Sequence, residues 1–136
     1  MTLRAATALG VAGLALLVLG GRGCGVVTPA PIAASGYNVL VVEETADRGA
    51  LPPEQLAALT STTIREWIEK QPGTVLVVDK DADVSVLTEP WQQAFRRPHA
   101  TLPWIVVSNG VTGYEGPLPG TVDELQALLE RYRVRQ

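Results

Sequence analysis

Four charged residues follow the first β-branched run of the chain and could support polar chemistry. Glu43 and Glu44 close the run NVLVVEE (residues 38–44), and Asp47 and Arg48 come shortly after it. Open α/β sheets bind ligands at the carboxyl ends of their strands, and carboxylates there can exchange protons or bind polar groups. A solvated loop is the alternative, because charged residues commonly follow a strand. The pattern leaves both interpretations open.

A second acidic group has the alternating spacing of calcium ligands. Asp79, Asp81 and Asp83 occupy every other position. An EF-hand loop counted from Asp79 requires Gly at its sixth place and Glu at its twelfth, where this chain has Val84 and Pro90. The EF-hand is therefore excluded. A turn whose Asp side chains bond nearby backbone is the favoured interpretation, with an irregular calcium site as the alternative.

The remaining chemistry-bearing residues are single. His99 is the one histidine, and a general base there would need a nucleophile and an orienting partner that the sequence does not show. We interpret His99 as a surface-loop residue. A zinc site needs several His or Cys ligands, and the chain has one of each. Neither a Gly-rich phosphate loop nor a dinucleotide fingerprint is present. We therefore expect no metal, no cofactor and no catalytic residue.

The N-terminus carries a targeting or anchoring signal. Arg4 precedes residues 5–21, which are uncharged and slightly shorter than the about 20 residues of a spanning helix. We interpret residues 1–24 as a hydrophobic helix that is a signal peptide or a membrane anchor. Cys24 lies where bacterial lipoproteins carry a lipidated cysteine, although Arg22 departs from that pattern. Lipidation, a retained anchor and cleavage remain alternatives, and all predict an exported or membrane-anchored domain on the periplasmic or extracellular side.

The charge distribution excludes some partners. Arg4 and Arg22 precede residue 35, and the nine basic residues beyond it face 14 acidic ones, so the domain carries a net charge of −5. The sequence has no basic stripe for nucleic acid or for anionic lipid. We expect membrane contact through the N-terminal segment alone.

The rest of the chain alternates strands and helices. Residues 25–36 are rich in Pro and Ala and predict a tether, and residues 37–136 form the domain. The predicted strands are 38–44, 74–81, 103–109 and a short one near Tyr114, and the predicted helices are 53–70, 89–97 and one beginning at Thr121. The order β-α-β-α-β-β-α predicts an α/β fold with a central mixed sheet flanked by helices. The last two strands should pair antiparallel.

The C-terminal half resembles a known family. Pro103 precedes an apolar strand, Asn109-Gly110 ends it, and Thr121 with Glu124 begins the closing helix. This order, over residues 38–134, resembles the thioredoxin-like superfamily. The resemblance implies a cis Leu102–Pro103 peptide bond. It also implies that this bend holds extended polypeptide beside the site.

The chain departs from the family at the redox motif. The family's Cys-x-x-Cys follows the first strand, within Asp47–Leu51 of this sequence, and the segment ETADRGALPPEQ contains no cysteine. Disulfide exchange requires an attacking thiolate, so dithiol oxidoreductase activity is not expected. Whether the domain has another enzymatic activity is left open. Trp104, directly after the proline, belongs either to the core or to a binding groove.

These observations lead to one expected function and one alternative. We expect a non-redox thioredoxin-like domain that binds a protein or extended peptide near the cis-proline bend. The expected site comprises Glu43, Asp47, Arg48, Leu102, Pro103 and Trp104. The alternative is a structural or accessory module of an envelope or particle assembly that uses another face, such as the helix from Thr121 to Arg133.

Overall fold

A computed structural model describes residues 26–133 of the chain, with side chains from Pro29 onward. The predicted N-terminal hydrophobic helix and Cys24 lie outside the described residues. Within the described part, no helix is both long enough and apolar enough to span a bilayer. The strands are β1 (Val26–Thr28), β2 (Tyr37–Glu43), β3 (Gly73–Asp79), β4 (Trp104–Ser108) and β5 (Gly113–Pro117), and the helices are α1 (Pro53–Thr60), α2 (Thr62–Glu69), α3 (Glu89–Arg96) and α4 (Val122–Arg131).

The fold is α/β with one mixed sheet. The strands lie in the order β1-β5-β4-β2-β3. β2 and β3 run parallel, because α1 and α2 carry the chain back to the same end of the sheet. β4 pairs antiparallel with both β2 and β5, and the pairing of β4 with β5 confirms the prediction for the last two strands.

Apolar side chains cover both faces of the sheet, as the continuous β-branched runs predicted. Val39 and Val41 point to one face and pack with α1, α2 and α4, in what we call the first cluster. Leu40 and Val42 alternate to the other face and pack with α3, in the second cluster. The sheet is therefore the middle layer between helices.

The helix predicted over residues 53–70 is divided into two. α1 ends at Thr60, and α2 begins at Thr62. Ser61 between them has extended backbone angles, and its hydroxyl accepts a hydrogen bond from the N–H of Ile64 at 3.4 Å. Serine is a favoured N-cap residue because its oxygen satisfies an otherwise unpaired helix donor. A new helix therefore starts at Ser61.

Two features of the C-terminal half follow the prediction. The Leu102–Pro103 peptide bond is cis. Thr121 caps α4 by accepting a hydrogen bond from the N–H of Glu124 at 3.2 Å, and the Glu124 carboxylate accepts one from the N–H of Gly120 at 3.1 Å. These side chains satisfy backbone donors at the start of the helix.

The segment predicted as a tether contacts the domain. Val26 pairs with Glu115, which adds β1 to the edge of the sheet. Ile32 is fully buried in the second cluster, and its carbonyl accepts a hydrogen bond from the hydroxyl of Ser108 at 3.0 Å. Arg97 donates to the carbonyl of Pro31 at 2.6 Å. Residues 26–36 therefore belong to the packed fold.

Candidate binding site at the carboxyl end of β2

Strand register brings most of the predicted site residues to one end of the sheet. Glu43 is the last residue of β2 and lies beside Asp79, the last residue of β3. On the other side of β2, Val42 pairs with Trp104, the first residue of β4. The cis Leu102–Pro103 bend therefore adjoins the end of β2, and the two segments that the sequence assigned to the site meet there.

Glu43 and Arg48 form an ion pair at this end. Glu43 is only 2 % exposed, and a 3₁₀ helix, Thr45–Ala50, turns the chain so that Arg48 lies back over it. Arg48 Nε donates to Glu43 Oε2 at 2.7 Å, and Nη2 donates to Oε1. These hydrogen bonds raise the pKa of the guanidinium above its ordinary value. The Arg48 side chain remains 39 % exposed, so the pair presents a cationic surface above a buried carboxylate.

Asp79 joins the loops that follow β2 and β3. Its carboxylate accepts hydrogen bonds from the N–H of Asp81 and the N–H of Thr45, each at 2.9 Å. These bonds lower the pKa of Asp79 from 3.8 to about 2, because they favour the charged form. Asp79 was not among the site residues predicted from the sequence. Parallel pairing of equal-length strands is the signal that could have placed it beside Glu43.

Lys80 occupies the space between the neighbouring carboxylates. Its ammonium lies 2.8 Å from Asp81 Oδ2 and 2.9 Å from Glu44 Oε2. The hydrogen bond to Asp81, and to a smaller extent the one to Glu44, raises the pKa of Lys80 above its ordinary value. Lys80 was also not among the site residues predicted from the sequence.

Lys80 also bears on the calcium alternative. Carboxylate oxygens of Glu44, Asp79 and Asp81 lie within 4.8 Å of one another, which is the one such group in the described part of the chain. The ammonium that contacts two of these residues already supplies positive charge there. Asp83 is not in this group, and accepts instead from the N–H of Ser85 at 2.9 Å, which lowers its pKa. In the structure, the side chains of Asp79 and Asp83 accept hydrogen bonds from nearby backbone N–H groups and so hold the turns that follow β3.

At the bend before β4, the backbone groups of one residue have no partner among the described residues. Pro103 is buried, and its carbonyl accepts a hydrogen bond from the N–H of Leu118 at 2.9 Å. Neither the N–H nor the C=O of Leu102 makes a hydrogen bond to any residue that the structure describes. The backbone of Leu102 therefore offers one donor and one acceptor at the end of the sheet.

Trp104 lies on the opposite face of the sheet from Glu43. Trp104 and its partner Val42 pack with the second cluster, and Leu102 joins them. Glu43 is one residue beyond Val42, so its side chain alternates to the other face. The core interpretation of Trp104 thus has support from its packing, although the side chain is only half-buried.

The two remaining candidate residues, Asp47 and His99, differ in burial. Asp47 is exposed, and its carboxylate makes no hydrogen bond to a described residue. His99 is half-buried rather than fully on the surface, and its ring lies 5.8 Å from that of Trp104. Burial lowers the pKa of His99. His99 Nε2 makes no hydrogen bond to a described residue.

Comparison with known proteins adds no relative. No protein-family model matches the chain, and neither the curated proteins nor the solved structures include a match.

Proposed function

We propose that this chain is an exported or membrane-tethered thioredoxin-like domain that has no dithiol chemistry and binds an extended protein segment at the cis-proline bend. The sheet order β5-β4-β2-β3, helices on both faces and the cis bond before β4 support the assignment of the fold. Export or tethering depends on the apolar N-terminal sequence.

The region after β2 supports binding rather than redox chemistry. The 3₁₀ helix Thr45–Ala50 occupies the place of the family's dithiol, and its Arg48 turns onto Glu43. The one cysteine of the sequence, Cys24, is not in this loop. Thiol–disulfide exchange has no nucleophile there. The site instead combines the partly exposed guanidinium of Arg48 with the unpaired backbone groups of Leu102.

The proposal depends mainly on the unpaired backbone N–H and C=O groups of Leu102. An extended peptide binds by strand-like pairing when a protein presents an unpaired main-chain donor and acceptor. Leu102 presents both. Arg48 lies at the neighbouring strand end and adds a partly exposed positive charge, which favours a peptide with an acidic or polar residue at that position.

Peptide binding can be tested with a probe in place of the natural partner. An extended peptide selected from a random display library on the immobilised domain serves as this probe. We expect NMR signals of Leu102, Trp104 and Arg48 to shift on titration. We also expect Trp104→Ala to weaken binding about tenfold, since a tryptophan at a contact is often a hot spot.

A matched control separates binding from loss of packing. Trp67→Ala removes another half-buried tryptophan, which packs against Tyr37 with ring centroids 6.3 Å apart. This variant should lose stability and retain affinity. Equal affinities for Trp104→Ala and the unmodified chain, with no shift at Leu102, would contradict the proposal.

A groove beside α4 supports the second candidate, an accessory module that uses another face. The groove has a volume of about 420 Å³. Its lining comprises Tyr114, Pro117, Leu118, Pro119, Gly120, Glu124, Leu128 and Arg131. Peptide-induced shifts confined to Thr121–Arg133 would favour this candidate over the bend.

A further inference from the structure

The outer edge of β3 has no pairing strand among the described residues. β3 is the last strand in the sheet order and pairs only with β2. Natural proteins protect such edges with Lys, Pro or a bulge. The strand sequence GTVLVVD contains neither Lys nor Pro, and its register with β2 is continuous from Gly73 to Asp79. Pro72 and Lys80 flank it on either side.

The hydrogen bonds to β2 show which backbone groups face outward. The carbonyl of Pro72 accepts from the N–H of Tyr37 at 2.7 Å, and the N–H of Lys80 donates to the carbonyl of Glu43 at 2.7 Å. Alternate residues of a strand direct their backbone groups to opposite sides. The even-numbered residues of β3 therefore bond to β2. The N–H and C=O groups of Gly73, Val75 and Val77 point away from the sheet.

We infer that this edge pairs with the β3 edge of a second copy of the chain, as an antiparallel strand pair about a two-fold axis at Leu76. In that register Val75 of each copy lies opposite Val77 of the other, and Gly73 lies opposite Asp79. The outward-facing backbone groups of Val75 and Val77 then meet each other, whereas the carbonyl of Asp79 already accepts a hydrogen bond from the N–H of Ala82 at 3.0 Å. Any shift of the register shortens the overlap of the two strands.

Charge and burial favour a second copy in this register. The single charged residue of the strand, Asp79, meets Gly73 rather than another carboxylate, although the domain carries a net charge of −5. Like charges directly opposite in a strand pair are destabilising. Val75 and Val77 are half-buried on the first cluster, and Leu76 and Val78 on the second, so a second strand would cover apolar surface on both faces.

The dimer leaves the bend at Leu102 open, and of the residues around Glu43 it involves Asp79 at the end of β3. β3 lies on the far side of β2 from β4, which carries the bend at Leu102. Dimerisation and peptide binding are therefore separate properties, and a negative result in the test of one does not contradict the other.

Analytical ultracentrifugation from micromolar to millimolar concentrations tests the dimer. We expect a monomer–dimer equilibrium that Val77→Pro shifts to monomer, because proline removes an outward N–H that bonds nothing in one copy. Val86→Ser, which changes a valine 87 % exposed in the loop after β3, should leave the equilibrium unchanged. A chain that stays monomeric at millimolar concentration overturns the proposal, as does a dimer that Val77→Pro does not weaken.

Cysteine variants test the register independently of the proline. In a Cys24→Ser background, Leu76→Cys places two thiols at the axis, where Cα atoms of a non-hydrogen-bonded pair lie about 4.5 Å apart. A disulfide can form at that distance. Val75→Cys places its copies about 8 Å apart, from the strand rise and spacing, which is too far. We expect oxidation to cross-link the first variant and not the second. Equal cross-linking of both contradicts the register.

Discussion

The two ends of β2 each bury polar side chains and satisfy them differently. At the carboxyl end, buried Glu43 is paired with the charged Arg48. At the amino end, Asn38 is 3 % exposed and donates to the carbonyl of Ser35 at 2.9 Å. The adjacent Tyr37 hydroxyl donates to the carbonyl of Leu129, in the last turn of α4, at 2.7 Å. One end uses charges, and the other uses neutral hydrogen bonds.

This difference separates a structural end from one that can respond to a ligand. The neutral bonds of Tyr37 and Asn38 close on backbone carbonyls and leave no exposed partner. Arg48 is partly exposed, so a bound carboxylate could share it with Glu43. Ion pairs also change with pH and salt, whereas neutral hydrogen bonds change little.

The largest expected effect comes from removal of the positive partner at the charged end. Arg48→Met leaves the Glu43 carboxylate buried without a counter-ion, and an uncompensated buried charge is strongly destabilising. We expect Tm at pH 7 to fall on the order of 10 °C. Differential scanning calorimetry measures the change.

Glu43→Gln provides the control for that prediction. It removes the buried charge and leaves Arg48, which can extend into solvent, so we expect a smaller fall in Tm than for Arg48→Met. Combining Glu43→Gln with Arg48→Met should restore part of the Tm lost in Arg48→Met alone. Additive losses in the double variant would show that the two side chains do not interact.

A smaller loss is expected at the neutral end. Tyr37→Phe deletes the hydrogen bond to Leu129 and should reduce the free energy of unfolding by about 1 kcal/mol. Burial raises the pKa of Tyr37 above its ordinary value, so the hydroxyl stays protonated through neutral pH and the loss should not vary with pH there. Urea denaturation, with an unchanged m-value, measures it.

Tyr132→Phe is the matched control for the neutral end. Tyr132 is 5 % exposed, and its hydroxyl makes no hydrogen bond to a described residue. This variant should unfold at nearly the same urea concentration as the unmodified chain. A loss equal to that of Tyr37→Phe would assign the effect to the ring environment rather than to the hydrogen bond.

The sequence predicted the four longer strands because continuous apolar runs carry a strong local signal. Of their pairings it predicted the antiparallel pair β4–β5, but not the antiparallel pairing of β2 with β4. It did not predict the break at Ser61, because Leu59, Ile64 and Ile68 keep helical spacing across it. β1 was also missed. A three-residue strand in a Pro-rich segment shows no alternation, and its pairing with β5 is a long-range contact.

The sequence grouped the residues of the candidate site but did not show which face of the sheet each side chain occupies. Proximity in sequence assigned Asp47 to it, although the 3₁₀ helix leaves that side chain exposed. Trp104 and Glu43 were assigned together, and strand register places them on opposite faces. Register and face depend on tertiary pairing, which the residues of one strand do not encode.

The smallest expected effect on Tm tests whether the charge on Asp79 stabilises the loops that follow β2 and β3. Asp79 has a pKa lowered from 3.8 to about 2 by the bonds from Asp81 and Thr45. Its folded form stays ionised where the unfolded chain is already protonated, so it contributes stability above pH 4 that is lost as pH falls from about 4 to about 2. Asp79→Asn should therefore lower Tm modestly at pH 7, and the difference should shrink below pH 4. Asp47→Asn, which removes an exposed carboxylate that makes no such bonds, should leave Tm at pH 7 nearly unchanged. If the Tm difference between Asp79→Asn and the unmodified chain stayed the same size at pH 2, packing rather than the charge on Asp79 would link the two loops.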